Sequence, residues 1–222
     1  MKADRIFKFL KALAAHNNRE WFKAHKAEYD AVMKEEIEPL LPILIARISM
    51  FEPEVMHLEP KDCLYRIYRD IRFSKDKSPY KTHIGLFVNA KGRQSLRCGY
   101  YLHFEPGQCM IAGGGWCPTS DMLRGIRHSI FDNIDEFRAM VEEPTFKQFF
   151  PTIGMERLKT APKGFPKDWP YMDYLKPKDY IVCRKVPDDF FQQPDFIDQI
   201  ALTFETMKPY HDFLNETIEK FI

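Results

Sequence analysis

The residues of this chain with the most concentrated chemistry lie between positions 66 and 81. Arg66, Arg69, Arg72, Lys75, Lys77 and Lys81 face only two acids in that stretch, Asp70 and Asp76. Six cations less two anions leave +4 there, in a chain whose formal net charge is +1. Guanidinium groups offer a planar fork that matches carboxylate and phosphate. If residues 65–73 form a strand, alternation puts Arg66, Tyr68, Asp70 and Arg72 on one face and Ile67, Ile71 and Phe73 on the other. Like charges on one face need an anion between them. Asp70 supplies one and orients an Arg, while Tyr80 is placed to flank a ligand.

Other chemistry-bearing residues are sparser. His83 and Asp76 are the nearest candidates for a catalytic acid or base, and His103 is a further one. Gly113-Gly114-Gly115-Trp116 precedes a run of helix-start residues, Pro118 to Asp121. A glycine turn there would present backbone N–H groups of Gly114 and Gly115 to an anion, supported by Trp116, and would share a cleft with the basic segment. The G-K-[ST] and G-x-G-x-x-G patterns are absent. The seven histidines show no H-E-x-x-H spacing, and the five cysteines show no C-x-x-C spacing. Ser74 and Ser78 lack a G-x-S-x-G setting. No metal site and no cofactor is therefore predicted. The cysteines read as free thiols of a reducing compartment, five small core residues.

These residues must be positioned by a scaffold that changes period along the chain. Ile6, Phe9, Leu10 and Leu13 repeat at helical spacing after Asp4, a potential cap. Asn17 with Glu20 resembles a capping box before a helix carrying Trp21, Phe22 and Tyr29. Pro39 and Pro42 are expected to break or kink the next helix. Ile84, Leu86 and Val88, then Leu96 to Phe104, alternate as strands. Lys91-Gly92-Arg93 and Pro106-Gly107 supply turns, and Cys109 to Ala112 returns. Met122, Leu123, Ile126 and Ile130 open a helical half. The loop 159–179 is rich in proline, Ile181 to Val186 reads as a last strand, and residues 195–222 as a helix interrupted at Pro209. The fold class predicted is α+β: an antiparallel meander covered by N-terminal helices and a C-terminal helical half, one domain over 1–222.

The near-neutral total excludes global steering toward nucleic acid or membrane, so any electrostatic function is local. No signal peptide or membrane span is read, and a cytoplasmic setting is expected. Three functions stay open. One is a basic pocket for a phosphate- or carboxylate-bearing small molecule, with or without catalysis. Another is nucleic-acid binding, which requires an extended basic stripe. The last is a protein-interaction module, which requires an exposed apolar patch around Phe165, Trp169 and Tyr171.

The basic run resembles the signature of the family known as domain of unknown function 2461. Asn17-Asn18-Arg19-Glu20-Trp21-Phe22, Gly113 to Pro118 and Ala161 to Lys167 agree with the same family. The resemblance covers nearly the whole chain and implies one domain from end to end. It implies no activity, substrate or catalytic residue.

Overall fold

A computed structural model describes all 222 residues. Nine α-helices and four strands follow the order α1 (Ala3–Ala15), α2 (Arg19–Ala24), α3 (Lys26–Val32), α4 (Leu40–Ile48), α5 (Pro60–Cys63), β1 (Ile84–Val88), β2 (Gly99–Phe104), β3 (Met110–Gly115), α6 (Ser120–Asp132), α7 (Ile134–Val141), α8 (Pro144–Phe149), β4 (Tyr180–Lys185) and α9 (Phe196–Ile218). The four strands form one antiparallel sheet in sequential order, with short connections from β1 to β3 and α6 to α8 inserted before β4. This is an α+β fold. No helix is long and apolar enough to cross a membrane.

By contact, the chain forms two compact units. The first comprises residues 1–93, 101–111 and 185–201, and the second 94–100, 112–184 and 202–222. The first unit is built on α1, whose Ile6, Phe9, Leu10 and Leu13 are all buried. Phe7 and Phe104 both meet Phe191, at ring-centroid distances of 6.1 and 4.7 Å. The second unit centres on α9, where Tyr210 and Phe213 pack on Phe137 and the Tyr210 hydroxyl donates to the Tyr180 carbonyl at 3.0 Å.

Several local expectations shift by a residue or a turn. Asp4 sits in the first turn of α1, and Lys2 is the cap position. The α2 cap is Asn18, whose side chain accepts from the Trp21 N–H at 2.9 Å, so Asn17 is left for another task. Ahead of Pro39 the chain widens into a π turn over Met33–Ile37 before α4 begins. The Pro106-Gly107 turn forms as predicted, with Gly107 at φ +75° and the Gln108 N–H donating to the Glu105 carbonyl. Pro209 does not interrupt α9. Pro209 is exposed, as is Glu205, whose carbonyl loses the proline's donor, so that group lies on the solvent side of the helix while buried Met207 and Tyr210 hold the axis. Of the five free cysteines, Cys63, Cys98 and Cys109 are buried, but Cys117 is exposed and Cys183 half-buried.

Candidate functional site

The basic segment is an irregular edge to β1. Tyr65 N–H donates to the Gly85 carbonyl, whereas Lys81 N–H donates to the Ile67 carbonyl and Arg69 N–H to that of Pro79. Two extra residues therefore lie on the Lys81–Ile84 side between the two registers. That bulge ends regular pairing, which is why the predicted strand 65–73 is only a pair of isolated bridges, Leu64 with Leu86 and Tyr68 with Tyr80. The alternation expected there fails at Phe73, which is 95 % exposed.

Beyond Arg69 the chain makes a loop that is closed by its own acids. Arg69 pairs with Asp76 and also donates to the Ser78 carbonyl at 3.2 Å. Asp76 accepts from the Ser78 N–H and hydroxyl, at 2.9 and 2.6 Å. Arg72 forks onto Asp70, with contacts of 2.7 and 3.0 Å. The Ser78 hydroxyl and N–H, then Arg69, hold Asp76 down at about 2, and Arg72 does the same for Asp70. Lys77 donates to the Ile71 carbonyl. Asn17 clamps the returning limb: its amide donates to the Tyr80 carbonyl at 2.9 Å and accepts from the Tyr80 N–H at 3.1 Å. Tyr80 is itself buried, stacked on Phe22 at 4.0 Å, so its ring anchors the loop. Asn17 to Glu20, Ile71, Lys77 and Pro79 line a shallow depression of about 530 Å³.

Two cations of the segment remain beside the sheet outside any ion pair, although Asp70 still feels the charge of Arg66. Arg66 is exposed, and Lys81 is half-buried with its ammonium 5.3 Å from the centre of the Tyr65 ring. Burial, then the charge of Arg66, lowers the pKa of Lys81. Lys75 is exposed and lies outside any ion pair.

Next to Lys81 is a polar cluster on the β1–β2 sheet. Tyr101, His103 and Glu105 follow at alternate positions, while Tyr100, Leu102 and Phe104 turn to the core. Gly85 makes room for it: a Cβ there would lie 2.7 Å from the Tyr101 hydroxyl. Tyr101 thereby reaches His103 Nδ1 at 2.8 Å. His103 Nε2 lies 3.0 Å from Glu105 Oε2, and Glu105 Oε1 accepts from the Thr82 hydroxyl at 3.0 Å. The His83 ring lies 4.4 Å from that of His103 and makes no hydrogen bond to protein. Burial first, then His103, pushes the His83 pKa down to about 4, against the pull of Glu105. Burial opposes charge on Glu105, but hydrogen bonds from His103 and Thr82 outweigh it and keep its pKa low. His83 is thus a neutral base at physiological pH, beside an ionised carboxylate.

The glycine run is a strand, not a turn. Gly113 to Gly115 close β3 and are buried. Gly114 has φ +108°, and a Cβ there would come within 2.1 Å of the Tyr180 carbonyl oxygen, so glycine is required by strand packing. The run lies in the second unit, the basic segment in the first. Trp116 follows the strand at 64 % exposure. In the 159–179 loop Phe165 is buried against Phe131 and His128, and Trp169 and Tyr171 are half-buried, so these rings do not make the exposed patch an interaction module needs.

Of the predicted site residues, Arg66, Lys81 and His83 come together, Arg69, Arg72, Asp70 and Asp76 build the loop, and Lys75 and Lys77 stand near its tip. Residue type and spacing alone do not single out Tyr101 and Glu105. Their signal was the polar alternation through His103, opposite a glycine two residues after His83.

A family model described as a conserved hypothetical protein, DUF2461, matches residues 5–213. The chain belongs to that family. No curated protein and no solved structure matches it.

Proposed function

We propose that the protein binds a small molecule bearing a phosphate or carboxylate, held by Arg66 and Lys81 at the edge of the β1–β2 face. The observation that carries this reading is the sorting of the cations. Arg69 and Arg72 have their own aspartates, whereas Arg66 and Lys81 have none, and Lys81 is partly withdrawn from water. A half-buried ammonium beside a guanidinium gains strongly from an anionic guest, since the local dielectric is low. The rings of Tyr65 and Tyr101 border the same face and suit an organic body on the ligand. His83 adjoins this position as a neutral base.

The test is calorimetric titration with inorganic phosphate and with a panel of phosphorylated and carboxylated metabolites. Saturable one-to-one binding should weaken by about tenfold or more in Arg66→Ala and Lys81→Ala, the loss of one charge-assisted hydrogen bond. Absence of binding across the panel, or binding indifferent to both substitutions, refutes the reading. A second reading has its own observation. Phe73 protrudes beside Arg72 on a loop that also carries the exposed Lys75 and Lys77, an arrangement suited to stacking on an unpaired base. Fluorescence anisotropy with a single-stranded oligonucleotide, in wild type and Phe73→Ala, decides it.

A further inference from the structure

We infer that His83, His103 and Glu105 form a binding site for one divalent first-row transition ion. One donor atom from each lies within 4.8 Å of the other two. Two imidazoles and one carboxylate make a mixed nitrogen–oxygen donor set that zinc, cobalt and iron(II) accept. Bonds of about 2.0–2.2 Å would bring such donors to roughly 3–3.5 Å of one another. His103 Nε2 and Glu105 Oε2 are already 3.0 Å apart. The adjustment falls on His83, which is only half-buried and has no hydrogen bond to hold it.

The surroundings are those of a prepared ligand set. A metal-binding histidine is fixed through its second nitrogen, and His103 Nδ1 has the Tyr101 hydroxyl at 2.8 Å. A hydroxyl both donates and accepts. Without an ion, it donates to Nδ1 while Nε2–H donates to Glu105. With an ion on Nε2, the proton moves to Nδ1 and donates to the tyrosine oxygen. Glu105 is steadied by Thr82, leaving its other oxygen for the ion. Gly85 is the residue that lets Tyr101 lie where it does. The His83 imidazole has no hydrogen bond to protein, and its ring lies tilted against that of His103 at 4.4 Å, so a ring nitrogen is available to an ion. Three protein donors leave coordination positions open for water or a ligand.

This inference stands apart from the anion reading, since Arg66 and Lys81 supply no metal donor. The test uses the full chain stripped with a chelator and then titrated with Co²⁺, read by its visible d–d absorption, and with Zn²⁺ by calorimetry. One ion per chain is expected. Tyr101→Phe should weaken binding by about 10–100-fold, the range for loss of a supporting hydrogen bond. His103→Ala and Glu105→Ala should weaken it further, with circular dichroism confirming that each variant is folded. Failure of the wild-type chain to take up either ion stoichiometrically overturns the inference whatever the variants do. Uptake unchanged in folded His103→Ala overturns it equally. Phosphate titration with chelator present reports the anion site alone, so the two failures are distinguishable.

Discussion

Replacing His211 with leucine should make folding stability less sensitive to acid. His211 lies on α9 at 1 % exposure, and neither ring nitrogen has a hydrogen-bond partner. Its ring packs on Tyr100 at 4.9 Å, and a Cβ added to Gly113 would come within 2.6 Å of Nε2, so the β3 backbone lies directly against the ring. Burial, with a smaller push from Lys208, takes its pKa from an ordinary 6.5 down to about 3. The unfolded chain therefore takes up a proton below pH 6.5 that the folded chain refuses until about pH 3. Stability from this site is full above pH 6.5 and falls as pH drops through that window. At pH 5 the gap is 1.5 pH units below the unfolded value, which costs about 2 kcal/mol at 1.4 kcal/mol per unit. That is a large share of a total of about 5–15 kcal/mol. Urea unfolding of wild type and His211→Leu at pH 7.5 and pH 5.0 isolates the quantity, because any shape mismatch of leucine is common to both pH values. The stability of the variant relative to wild type should rise by about 2 kcal/mol on going to pH 5. A difference that is the same at both pH values refutes the reasoning.

Two further outcomes follow from the site. Gly85→Ala drives a methyl into the Tyr101 hydroxyl and should cost about 1–3 kcal/mol in urea unfolding, as overpacking does; wild-type stability in the variant would refute the close approach. Asp76 is held down at about 2, so its pairing is complete above the ordinary carboxylate range and is lost as pH falls from about 4 through 2. Protection of the Ser78 amide, which donates to Asp76, relative to its intrinsic exchange rate should fall across that window and should already be lost at neutral pH in Asp76→Ala; an Asp76 carboxyl that titrates at its ordinary value in a nuclear magnetic resonance titration would refute the assignment.

The helices and strands were legible in the sequence wherever one face had to be buried. The α1 stripe, the β1 and β2 alternation and the Pro106-Gly107 turn all rest on local patterns that tertiary packing reinforces. The glycine run reads as a turn from sequence because the cause of its strand conformation is not local. Three glycines before helix-start residues look like a turn, and only the carbonyl of Tyr180, sixty-six residues on, makes them strand residues. Pro209 was misread for a similar reason, since a proline's cost depends on whether the carbonyl it orphans meets water. At the site, charge was legible and pairing was not. Nothing in the spacing of Arg69 and Asp76, seven residues apart, shows that the loop folds back to join them.

That distinction determines what the charge can do. Pairing Arg69 with Asp76 and Arg72 with Asp70 leaves the segment at +4 but moves the usable charge to its two ends. Lys75 and Lys77 are exposed near the loop tip, where salt screens interactions beyond about 10 Å. Arg66 and Lys81 stand at the sheet, where Lys81 is half-buried and screening is weaker. A guest bound at the tip should let go steeply as salt rises, and one bound at the sheet should not. The aspartates within the motif therefore act as more than counter-ions to a ligand site. They close the loop and take up the arginines nearest to them, leaving Arg66 and Lys81 as the cations beside the histidine cluster.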